Sequence, residues 1–182
     1  NVSDIALNND YVLLGSEKSS LLILDISDIS MPMEVNAFDT PGKVQDIQVH
    51  HDHAYLALAE AGYFVLDISD PYKLFQENMV SDKEINSSDI EDIFIHKDTA
   101  FFACDENGIF VANITNPTAP IAKAHFGQRG EAARILLDKQ YAFISQGSAG
   151  LSILDISNLK NIKEISRWDP GPKIEEIFSK AG

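Results

Sequence analysis

The chain has 182 residues, enough for one sizeable domain, and 45% of them are hydrophobic, too many for a disordered segment. It carries 28 acidic against 14 basic residues, a formal net charge of −14, with the Lys and Arg scattered along its length. That balance excludes nucleic acid and an anionic membrane surface as partners, because both need grouped cations; with no apolar run of about 18 residues, no membrane insertion is expected in this segment.

In chain order, the first predicted strand covers Ser3–Leu7. An apolar run, Leu21–Ser27 (LLILDIS), follows and then returns as Tyr63–Ser69 (YFVLDIS), Ile109–Thr115 (IFVANIT) and Leu151–Ser157 (LSILDIS). The aligned Asp25, Asp67, Asn113 and Asp155 are spaced 42, 46 and 42 apart, the period of one four-stranded β-propeller blade. Five residues earlier stand Ser20, Gly62, Gly108 and Gly150, where glycine permits a positive-φ turn into the strand. Thirteen residues later stand Phe38, Val80, Phe126 and Trp168, expected to anchor neighbouring blades. The second repeat reads as strands Asp46–His50, Ala54–Leu58, Gly62–Ser69 and roughly Leu74–Val80, separated by turn residues. Pro71, Pro117 and Pro120 fall after the third strand, where they remove no ladder bond.

The expected fold is therefore all-β. It is a β-propeller of blades near 3–45, 46–91, 92–133 and 134–175, with a partial fifth in 176–182; the chain stops just after another predicted first strand, Lys173–Phe178. Four blades and one extra inner strand do not close neatly, so the segment is expected to belong to a larger propeller of about 6–8 blades. Its first residue is Asn1, with no charged-then-apolar leader, so its true start is expected upstream. Open blade edges would favour self-association.

The strand Asp46-Ile47-Gln48-Val49, the strand Ala54-Tyr55-Leu56-Ala57 and the run from Gly62 to Asp70-Pro71 together resemble LVIVD repeats, as does the Asn113–Pro117 run of the third repeat. The resemblance covers nearly the whole chain. Departures are Ile29 and Leu159 where proline is usual, Asn113 for aspartate, Ala112 within the strand and the missing glycine of the first repeat. It implies a bacterial or archaeal secreted or cell-surface propeller, hence an extracellular or surface location, and no common reaction.

The repeated Asp25, Asp67 and Asp155 read either as a metal ring or as acceptors for backbone amides in the following turn, a role that Asn113 fills equally well. A second acidic row opens the first strands: Asp4, Asp46, Asp92 and Glu176, with Arg134 in the fourth repeat. On strands lining a central channel, these carboxylates suit Ca²⁺ or another hard cation; the alternative is again a repeated structural hydrogen bond. The four-residue insertion lies within residues 81–88. Asp82, Glu84, Asp89 and Glu91 make that loop acidic, and Asp105 and Glu106 are expected on the same face; together these six form the candidate ligand-binding set.

His50, His51 and His53 read as a variable polar turn. Cys104 reads as a small buried residue. Of the sequons at Asn1, Asn86 and Asn113, Asn86 suits glycosylation best. No nucleophile elbow, zinc helix or phosphate loop is present. Two functions remain. One is a non-catalytic module of a secreted or surface protein that binds a protein or small ligand, with an exposed apolar patch or loop-borne contacts. The other is a calcium-dependent, hydrolase-like propeller enzyme with its cation in the channel.

Overall fold

In every repeat a two-residue hairpin turn joins the first two strands, and its first residue takes left-handed backbone: Asn9, His51, Lys97 and Lys139 have φ of 52°, 52°, 53° and 56°. The strands on either side alternate in side-chain direction and are rich in Ile, Val, Leu, Phe and Tyr, which suits a pleated surface. The computed structural model describes residues 1–80, 89–117, 119–127, 130–169, 171 and 177.

Four antiparallel four-stranded sheets result, each a simple meander. The first holds β1 (Val2–Asn8), β2 (Tyr11–Ser16), β3 (Ser20–Asp25) and β4 (Met33–Asp39). The second holds β5 (Asp46–His50), β6 (His53–Ala57), β7 (Tyr63–Asp67) and β8 (Phe75–Val80). The third holds β9 (Asp92–His96), β10 (Thr99–Ala103), β11 (Ile109–Asn113) and β12 (Ile121–Phe126). The fourth holds β13 (Arg134–Asp138), β14 (Tyr141–Ser145), β15 (Leu151–Asp155) and β16 (Lys163–Trp168), with one 3₁₀ turn, Leu159–Asn161, before its last strand. In all four sheets the register slips by one residue between the third and fourth strands, at Ile23/Leu24, Val65/Leu66, Val111/Ala112 and Ile153/Leu154. A bulge fixed at one place in every sheet is a designed bend. The chain is all-β and built of four propeller blades. Among the described residues, no helix is long and apolar enough to cross a membrane.

The chain divides into two compact units, one of residues Asn1–Ile90 with Asn116–Ala119, the other of Glu91–Thr115 with Pro120–Gly182. In the first, blade 1 presents Leu13, Leu21 and Ile23 to Ile47, Leu56, Phe64 and Leu66 of blade 2. Phe38 packs on this cluster, its ring centroid 5.6 Å from that of Phe64. In the second, blade 3 presents Phe101, Ile109 and Val111 to Ile135, Ala142, Ile144 and Leu154 of blade 4, and Phe126 packs alongside. Each large side chain buried in this way contributes about 1.5–3 kcal/mol. Phe38 and Phe126 thus act as the expected blade anchors. Trp168 is 59% exposed. Val80 is described in backbone only.

Candidate functional site

The repeated aspartate is committed to its own turn. Asp25, Asp67 and Asp155 each accept the amide two residues on, from Ser27, Ser69 and Ser157, at 2.8, 2.8 and 2.9 Å. The serine hydroxyl and then the serine amide hold each carboxyl below its ordinary value. Asn113 makes the same turn with Thr115 at a longer 3.4 Å, as expected of a neutral acceptor. Asp28 adds a second such turn, accepting the Ser30 amide at 3.0 Å and its hydroxyl at 2.6 Å.

The aspartates that open the first strands point along the blade-to-blade contact. In the first unit Asp4 Oδ2 accepts the Ile47 amide at 2.8 Å, and in the second Asp92 Oδ2 accepts the Ile135 amide at 2.6 Å. Asp46, in the first unit, and Asp92 are both buried. Arg134, the exception in the row, turns its guanidinium to carbonyls, donating to Ala133 at 2.9 Å and Glu91 at 3.2 Å. Glu176 lies outside the described residues.

Of the six candidate ligand-binding residues, Asp82 and Glu84 lie outside the described residues, as does the sequon residue Asn86. In the first unit, Ala59 and Ile90 exchange both amide-to-carbonyl bonds at 3.2 Å, which places Asp89 beside the Ala59–Gly62 loop. In the second unit the Glu91 amide donates to the Ala103 carbonyl at 3.0 Å, bringing Glu91 to the end of β10 where the loop carrying Asp105 and Glu106 begins. Cys104 starts that loop and is wholly buried, so it serves as a small core residue.

These loops share one backbone. Ala59, Asp105 and Gly147 are left-handed, with φ of 48°, 42° and 52°, and Gly62, Gly108 and Gly150 follow at 83°, 82° and 84°. Each is clamped by the same amide-to-carbonyl bond: Leu58 to Gly62 at 2.9 Å, Cys104 to Gly108 at 2.8 Å and Gln146 to Gly150 at 2.8 Å. The residues between vary: Glu60-Ala61, Glu106-Asn107 and Ser148-Ala149.

Two features go beyond what the sequence foretells. At the hairpin-turn end of the second unit, a groove of about 430 Å³ has Phe101, Leu137 and Ile156 on its floor and Lys97 and Lys139 on its rim. The HKDT and DKQY turns carry those two lysines, and this is the available signal. Within blade 4, the buried Ser152 hydroxyl lies 2.6 Å from Gln146 Oε1 and 3.1 Å from Glu164 Oε2. Glu164 in turn pairs with Arg167 at 2.7 Å. Ser152 is wholly buried, so no substrate reaches its hydroxyl, and the network locks blade 4 together.

A sequence model of the LVIVD repeat matches residues 1–40, 41–75 and 129–169, more than half of the chain. No curated protein sequence matches it. Among solved structures, it resembles the crystal structure of the computationally designed Ika4 protein, with a TM-score of 0.67 and 12% identity over 86% of this chain and 92% of that one. The computationally designed Ika8 protein is similar at TM-score 0.70 and 13% identity, over 98% of this chain and 53% of Ika8, so the chain spans about half of that protein. Likeness at such identities shows the fold alone.

Proposed function

Because this chain belongs to the LVIVD-repeat family, we propose that it is a non-catalytic β-propeller module of a secreted or cell-surface protein, presenting loops for binding. The observation that carries this reading is the shared loop frame. Three blades hold the same left-handed, hydrogen-bonded loop while the side chains at its tip change. A fixed backbone with variable tips is how a rigid scaffold diversifies contacts. Glu91, Asp105 and Glu106, with Asp82, Glu84 and Asp89 of the neighbouring acidic run, favour a partner that offers Lys, Arg or an amine. The lysine-rimmed groove of the second unit suits a small ligand with an apolar body and an anionic group.

The test is fluorescence-anisotropy binding of a labelled lysine-rich peptide to the chain and to the Glu91→Gln, Asp105→Asn, Glu106→Gln triple variant. Binding that weakens at least tenfold in the variant and falls with salt supports the acidic loop face. Equal binding by both proteins, or none by either, removes the loop face from the reading.

A further inference from the structure

Each unit joins two blades, and the hairpin-turn end of that joint carries different side chains in the two units. In the second unit the joint opens into the groove of about 430 Å³, which runs from Thr99 and Phe101 of blade 3 to Leu137 and Ile156 of blade 4. The corresponding residues of the first unit are Tyr11, Leu13, Val49 and Ile68. There Tyr11 packs against the core cluster, and Ile68 is 3% exposed. Ile156, at the place of Ile68, is only half-buried. A threonine in place of a tyrosine leaves room beside it.

The rim of the groove is cationic. Lys97 and Lys139 hold the first place of their hairpin turns, one on each blade, and both are exposed. Blade 1 has Asn9 at that place and blade 2 has His51. Among the described residues neither lysine pairs with a carboxylate. Asp98 and Asp138 adjoin them in sequence but do not line the groove. In a chain of net charge −14, two such cations over one apolar floor reverse the sign of the surface locally. The rest of the chain repels anions, so attraction for one is concentrated here. An ammonium is a compact point charge, suited to a single anionic head. Phe101, Leu137 and Ile156 offer the apolar floor that such a site needs for the body of a ligand.

We propose that this groove binds a small amphipathic organic acid, with its apolar body on Phe101, Leu137 and Ile156 and its carboxylate or sulfonate between Lys97 and Lys139. The site lies wholly within the second unit. It rests on the reading of the chain as a binding module and gives that module a ligand class. It does not depend on the acidic loops, which carry neither lysine.

Fluorescence titration with anilinonaphthalene sulfonate tests this, beside N-phenylnaphthylamine, which has the same rings and no charge. The proteins are the wild type, the Lys97→Asn, Lys139→Asn double variant, and Thr99→Tyr. Asparagine suits the left-handed turn, as at Asn9, and tyrosine is what blade 1 carries at the place of Thr99. The circular-dichroism melts are therefore expected to match. The wild type is expected to bind the sulfonate at least tenfold more tightly than either variant, with affinity falling as salt rises. The uncharged amine is expected to bind the wild type and the lysine variant equally. A wild type that does not bind the sulfonate overturns the proposal. Undiminished binding by Thr99→Tyr overturns the location, and undiminished binding by the lysine variant overturns the anionic class. Should Thr99→Tyr melt early, the lysine variant decides alone, since its exposed turn residues carry no packing. Lysine-rich peptide binding, measured on the same proteins, is expected to be unchanged in both variants. Loss of the peptide with the sulfonate retained would remove only the acidic loops; loss of the sulfonate with the peptide retained would remove only this groove.

Discussion

The Asp4 carboxylate accepts the Ile47 amide proton at 2.8 Å and so fastens the first strand of blade 1 to the first strand of blade 2. Asp92 and Ile135 repeat the bond at 2.6 Å in the other unit, where the aspartate is 7% exposed. Asp92→Ala leaves a buried amide without its acceptor, at a cost of about 1–3 kcal/mol. Asp92→Asn keeps an acceptor oxygen and is expected to lose less. Chemical denaturation of both variants ranks them. An alanine variant as stable as the wild type would show that the tie contributes nothing.

The turn aspartates make a pH-dependent contribution. The folded values of Asp25, Asp67 and Asp155 lie below the ordinary value. Their contribution is therefore full above the unfolded pKa of about 4, and is lost as pH falls through the folded values. Asp67→Asn, which copies the Asn113 turn, keeps the hydrogen bond to Ser69 and removes this titration. It is expected to flatten the acid limb of stability and to lose at neutral pH the part that the ionised carboxyl supplies. Asp67→Ala loses the bond as well, about 0.5–1.5 kcal/mol. Acid unfolding followed by circular dichroism separates the two, and identical acid limbs for wild type and Asp67→Asn would contradict the assignment.

Much of this is legible in the sequence because it is local. Strand Asp46–His50 has the bounds that its polar–apolar alternation predicts, and the Asp-x-Ser turns lie within three residues. The blade-to-blade tie is readable only as a repeated acid, since its partner amide lies 43 residues away. Pattern also cannot say which face of a blade meets which. Both faces are apolar, so pattern alone does not tell which of them a neighbour covers. The Ser152 network is illegible for a related reason. Gln146 and Ser152 read as ordinary loop and strand residues, and only packing buries them.

Gly15 sits where blade 1 meets blade 2. A Cβ there would lie 2.5 Å from Val44 Cγ1 and 3.2 Å from Ile47 Cδ1, and both neighbours are buried. Gly15→Ala is therefore expected to destabilise by about 1–3 kcal/mol through overpacking, despite alanine's smaller backbone entropy loss. Val44→Ala in the same chain opens room and should recover part of the loss. A thermal melt of the two variants measures this; no recovery would place the strain elsewhere.

In blade 4, Ser152→Ala removes the hydroxyl that lies against Gln146 Oε1 and Glu164 Oε2. The expected cost is about 1–3 kcal/mol, because a buried acceptor loses a donor. A larger apolar residue, such as the phenylalanine found at the corresponding Phe64, would fit blade 2 but strand the same oxygens here. Equal melting temperatures for Ser152→Ala and wild type would show that the network has no weight.

Calcium offers the sharpest separation between a scaffold and a cation-dependent enzyme. A calcium ion takes about 6–8 oxygen ligands, and a ligand that binds only the folded state must raise the melting temperature. Asp4 and Asp92 each already spend an oxygen on a backbone amide, and these bonds hold blades together. Drawing both carboxylates to an ion would compete with the joints that give the fold its stability. The expected outcome is one melting temperature in millimolar calcium and in chelator, for the wild type and for Asp4→Asn alike. A calcium-dependent rise that vanishes in Asp4→Asn would instead make the first-strand row a cation site and favour the enzyme over the scaffold.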